Sequence, residues 1–263
     1  MKSKLIDGKV EYNLPLVSQL EGENQTLFSI SDFIGKKINI QFSGNINCTQ
    51  CSKKIKKTYL NGLCFKCFQE APQASPCVLR PELCKAHLGE GRDPKWEEEN
   101  HNQPHVVYLA AGDVVKVGVT RATQIPTRWI DQGAVSVIKL AETPNRYLAG
   151  VIEVALKSEF TDKTNWRNML KNIQDESLDL EEEKWRVEEL LPSDLAEYVS
   201  DDDEILMIDY PVMHYPKKVT SISLDKQQHV EEVLIGVKGQ YLIFEGDKVM
   251  NVRSHSGYEI EIN

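Results

Sequence analysis

The chain has 263 residues, 41% of them hydrophobic, and a formal charge of -9 at pH 7. That is long enough to bury a core and to hold one to three modules. No run of about 18 apolar residues occurs, which excludes a membrane-spanning helix.

The opening MKSKLIDGKVEYNLP lacks the apolar stretch of a signal peptide, so the expected location is the cytoplasm. Thiols stay reduced there, and the six cysteines read as metal ligands rather than disulfides. The charge is unevenly spread. Between Asp175 and Glu204 stand 14 acidic residues against Lys184 and Arg186, so the remainder of the chain is net positive by three. The acidic block reads as a solvated helix face or linker, and the sign of the total does not exclude a nucleic-acid partner.

Residues 1–47 are predicted to be β-rich, from VEYNLPL and KKINIQFSGNINC. Residues 48–104 form a Cys-rich region. In it Cys48-x2-Cys51 and Cys64-x2-Cys67 repeat a spacing that turns two sulfurs to one side of a knuckle. Two such knuckles make a closed tetrahedral thiolate site, so a structural zinc ion is expected. From Cys48 to Cys67 the chain carries Lys53, Lys54, Lys56, Lys57 and Lys66 with no acidic residue, and the first four are a candidate phosphate-binding surface. PCVLRPELCKAH offers a second set, Cys77, Cys84 and His87, with His101 as fourth ligand and His105 as the alternative.

Residues 105–172 alternate strands and helices. VVYLAA and VVKVGVT are both β-favouring, and Gly112-Asp113 between them suits a two-residue turn. Pro126 starts a helix, TRWIDQ, that Gly133 stops, with Arg128 and Gln132 on one face. VSVIKLAE is a third strand. Thr143-Pro144 is expected to cap a helix, NRYLAGVIEVALKSEF, whose apolar run contains Glu153; periodicity favours a solvent-facing carboxylate there. Residues 173–204 are the acidic helical segment, and 205–263 return to short strands suited to a small β module. Whether the two β-rich ends pair with each other is not fixed by the sequence.

The order of these elements (a strand with Tyr108, a hairpin, a strand with Gly118, a helix with Arg128, a helix with Glu153) resembles the GIY-YIG nuclease domain. VVY stands where GIY would be and KVG where YIG would be. The whole chain also resembles an uncharacterised bacterial protein family with a cysteine-rich, zinc-knuckle-like segment ahead of stretches such as KVGVTR, TRWIDQGA and KGQYLIF. The resemblance implies an α+β fold. A three-stranded sheet with helices would follow a zinc-ribbon-like segment, flanked by β-rich ends. It further implies a metal-dependent nuclease. Glu153 would hold Mg2+ or Mn2+, Arg128 would pair with phosphate oxygens, and Tyr108 would face the attacking water. Gly118 would allow close backbone approach. Lys116 replaces the second tyrosine of the motif, where it would act as a base or hold a phosphate. Asn165 and Asn168 stand near the place of an asparagine that some members use. The alternatives are a zinc-stabilised nucleic-acid-binding protein without catalysis, and a protein-interaction scaffold.

Overall fold

The computed structural model describes residues 1–17, 25–160 and 165–263. Parts of the expected N-terminal β segment (18–24) and of the central segment (161–164) lie outside the described residues. The strands are β1 Lys2–Ile6, β2 Lys9–Val17, β3 Gln25–Ser29, β4 Lys37–Asn47, β5 Lys54–Ile55, β6 His105–Ala111, β7 Lys116–Arg121 and β8 Ser136–Thr143. They continue with β9 Leu206–Met207, β10 Thr220–Ile222, β11 His229–Lys238, β12 Tyr241–Phe244, β13 Lys248–Asn251 and β14 Tyr258–Ile262. The helices are α1 Phe65–Glu70, α2 Pro94–Asn100, α3 Thr127–Asp131, α4 Arg146–Ala155, α5 Trp166–Leu170 and α6 Leu180–Glu188. The fold is mixed α+β, and no described helix is long and apolar enough to cross a membrane.

The chain divides into two compact units. The first comprises Met1–Phe68, Ile130–Gly133 and Ile208–Asn263. It unites the two ends of the chain: β4 lies between β11 and β14, with Ile40 opposite both Val230 and Ile262. The alternation KINIQFSGNIN explains why β4 can be central. Ile38, Ile40, Phe42 and Ile46 all turn inward and are buried, so one face of the strand is core. β1–β3 form a separate three-stranded sheet. It is tied to the C-terminal half through Val10 N, which donates to Asp209 O at 2.9 Å.

The second unit comprises Gln69–Trp129 and Ala134–Met207. Its sheet runs β7-β6-β8-β9, antiparallel throughout. β6 is central, which is why HVVYLA is buried on both faces. Val107 and Leu109 share a core cluster with Ala149 and Ile152 of α4 and its C-cap Leu156, together with Leu180 and Val187 of α6.

Three local expectations need correction. The β6–β7 connection is residues 112–115 rather than a two-residue turn. Asp113 is held in it by Lys116 Nζ at 3.4 Å and Asn168 Nδ2 at 2.9 Å. α4 is capped by Asn145, whose side chain accepts from Leu148 N, while Thr143 closes β8. The acidic segment is more than a solvated face. α6 buries Leu180, Lys184 and Val187, and the Lys184 ammonium donates to Ser200 O at 2.6 Å and Asp203 Oδ1 at 2.6 Å.

Candidate metal centres and a basic surface

β4 delivers Cys48 to the start of a tight loop in which Cys48 N donates to Lys53 O and Ser52 N to Cys48 O, both at 2.9 Å. The second cysteine pair, Cys64 and Cys67, follows Leu63 and runs into α1. Gly62 sits so close to Ser256 O, 2.6 Å from where a Cβ would be, that only glycine fits this approach. The ligand atoms of Cys48, Cys51, Cys64 and Cys67 all lie within 4.8 Å of one another. Cys51 Sγ and Cys64 Sγ are 4.0 Å apart. A tetrahedron with Zn–S bonds of about 2.3 Å has edges of about 3.8 Å, so the four sulfurs can bind a metal such as zinc.

The backbone prepares these sulfurs for an ion. Cys64 N donates to Cys48 Sγ at 3.1 Å and Cys67 N to Cys64 Sγ at 3.4 Å. Burial would raise the Cys48 thiol, but backbone amides of Cys64, Cys51 and Gln50 outweigh it and bring it down to about 6. Cys67 is pushed up to about 12, first by its hydrogen bond with Cys64 and then by burial. A bound ion would take the place of the thiol protons of its cysteine ligands.

A second group forms in the other unit: Cys77, Cys84, Glu97 and His101, all buried, with ligand atoms within 4.8 Å. His87, expected as a ligand, stands outside it. Its ring stacks on Tyr147 at 4.7 Å, because the turn Ala86–Leu88 carries the side chain away from Cys84. His105, the alternative, is also outside. Its Nδ1 donates to Gln103 O at 2.7 Å, and burial holds the ring neutral down to about 4. Glu97 is hard to single out in the sequence because it lies in the run WEEEN, which looks like a solvated acidic face; its i,i+4 spacing to His101 is the available signal.

The lysines between the first two knuckles are all exposed. Lys57 Nζ lies 5.4 Å from the centre of the Tyr59 ring, which in turn contacts Phe65 at 5.3 Å and Phe68 at 5.7 Å between centroids. Phe65 is 53% exposed. Among the described residues Lys53, Lys54 and Lys56 have no carboxylate partner, so their charge faces solvent.

Tyr108 is buried opposite Gly118, its ring 5.7 Å from that of Trp129. Its neighbours Val107 and Leu109 lie in the core cluster that α4 helps to build. Arg128 is on α3, and both it and Glu153 act electrostatically on Arg146. Lys116 pairs with Asp113. α3 ends at Asp131, before Gln132. Asn165 caps α5, accepting from Arg167 N at 3.2 Å, and Asn168 is engaged with Asp113.

A family model described as a protein of unknown function, DUF2797, matches residues 35–260. The chain belongs to that family. The DUF2797 span begins just ahead of β4, contains both cysteine groups and ends within β14; β1–β3 precede it. No curated protein and no solved structure matches the chain.

Proposed function

We propose that this DUF2797 protein is a zinc-stabilised binding protein whose first knuckle pair presents a lysine and aromatic surface to single-stranded nucleic acid. The observation that carries the reading is the joint exposure of Lys53, Lys54, Lys56 and Lys57 beside the Tyr59–Phe65 pair, on a loop clamped by four convergent cysteines. Ammonium groups neutralise phosphates, and an exposed ring stacks on a base without regard to sequence. Four sulfurs leave no open coordination position, so the ion serves the loop's shape rather than chemistry. The test is fluorescence anisotropy with a labelled single-stranded oligonucleotide. The variant in which Lys53, Lys54, Lys56 and Lys57 become Ala should bind at least tenfold more weakly with its zinc retained. Unchanged affinity would remove the reading.

Metal-dependent phosphodiester cleavage is the second reading. The strand order β7-β6-β8 and the shared electrostatic neighbourhood of Arg128 and Glu153 favour it. Tyr108, 1% exposed, weighs against it. Nicking of DNA or RNA with Mg2+ or Mn2+ that disappears in Glu153→Gln would establish it.

A further inference from the structure

We infer that Cys77, Cys84, Glu97 and His101 form a second metal site, with a carboxylate as its fourth ligand, and that Arg146 balances its charge. This site is independent of the nucleic-acid reading above. Two sulfurs, an imidazole nitrogen and a carboxylate oxygen suit Zn2+ among common divalent ions, since the set combines soft and hard donors in a closed arrangement.

The geometry supports an ion at the centre. Glu97 and His101 are one turn apart on α2 and its C-cap, 2% and 4% exposed. Cys77 Sγ is 3.7 Å from His101 Nδ1, close to the roughly 3.5 Å edge expected when both bind one zinc. Glu97 Oε2 closely approaches the same ring nitrogen, yet in a geometry that makes no hydrogen bond. Among the described residues, its other oxygen accepts a long contact from Ser75 Oγ, 3.4 Å. A carboxylate this deeply buried needs a cation or several donors. Gly91 leaves the room that the Glu97 side chain occupies, since a Cβ there would fall 2.4 Å from Glu97 Cγ.

Charge gives an independent argument. A divalent ion with two thiolates, one carboxylate and a neutral imidazole carries about one net negative charge. Arg146 supplies the compensation: its guanidinium donates to Cys77 O at 3.0 Å and Val78 O at 2.9 Å, and its backbone N to His101 O at 2.9 Å. It interacts electrostatically with Cys77 and Cys84 as well as with Glu153. A half-buried guanidinium held on neutral carbonyls gains from an anionic cluster next to it. The cluster joins the turns Pro76–Val78 and Pro81–Leu83 to α2, and Gly150 of α4 packs on Pro81 and Glu82.

Elemental analysis of the purified full-length chain tests the inference. Wild type should hold two zinc ions, and Cys51→Ser should hold one. Glu97→Ala should also hold one, and the double variant none. His87→Ala should keep both, because His87 is not a ligand. Glu97→His, which restores a zinc ligand, should return the count to two; this separates ligand loss from misfolding. Arg146→Met should weaken zinc retention at the second site, read as faster loss of one ion to a chelator. A wild type with a single ion, or a Glu97→Ala protein that still holds two, would overturn the inference.

Discussion

Gly118 faces Tyr108 across the β6–β7 ladder, and the tyrosine ring fills the space that a Cβ on the glycine would need, 2.6 Å from both Cζ and the hydroxyl oxygen. The glycine is therefore a packing requirement of this pair. Gly118→Ala should cost about 1–3 kcal/mol, because the ring must shift within a filled core. Gly150→Ala should cost more. Its Cβ would meet Glu82 N at 2.2 Å and Pro81 C at 2.4 Å, and backbone atoms cannot rotate away. Urea midpoints of the two variants check this order; a midpoint equal to wild type for Gly150→Ala would contradict the close packing of α4 on that turn.

The pH dependence of stability should carry a contribution from His105. Burial is the main reason its pKa falls from an ordinary 6.5 to about 4. The unfolded chain binds the proton more readily, so the contribution is complete above the unfolded pKa and is lost as pH falls through the folded one. The size is on the order of 3 kcal/mol. Protonation of the cysteine groups also lowers stability in acid, so the informative quantity is the difference from His105→Gln. The wild type should lose stability more steeply than the variant between about pH 6.5 and 4. Parallel slopes would show that His105 is not held neutral.

Lys184 is buried in the acidic helix, and its ammonium satisfies Ser200 O and Asp203 Oδ1. Lys184→Met should cost about 1–3 kcal/mol by leaving that carbonyl without its donor. Asp203→Asn should cost less, because the Asp203 side chain is 51% exposed and its pairing is screened. Thermal midpoints read the difference. Equal losses would mean that the ion pair, and not the carbonyl, carries the contact.

The sequence made the local elements legible where one signal dominated. VVYLAA and VVKVGVT are apolar and β-branched, and they form adjacent strands; Gly133, at φ +73, stands just beyond α3. The paired CxxC spacing located the first cysteine group, since four sulfurs that close in the chain have few ways to face outward. Partnership was less legible. KINIQFSGNIN shows which face of β4 is buried but not that its neighbours are β11 and β14, some two hundred residues away. Periodicity encodes a face, whereas the partner depends on the whole topology. The second group was half legible. Cys77, Cys84 and His101 stand out by residue type, but a buried glutamate among surface-like acids does not, and the 3-10 turn that aims His87 at Tyr147 leaves no periodic trace.

Salt dependence of oligonucleotide binding is the most direct measurement of the lysine surface. If Lys53, Lys54, Lys56 and Lys57 each neutralise one phosphate of a single strand, log Kobs should fall against log salt with a slope of about -3. The slope should approach zero in the zinc-loaded variant that lacks the four lysines. A wild-type slope near zero, or a slope that survives their removal, would contradict the assignment of this surface to nucleic acid.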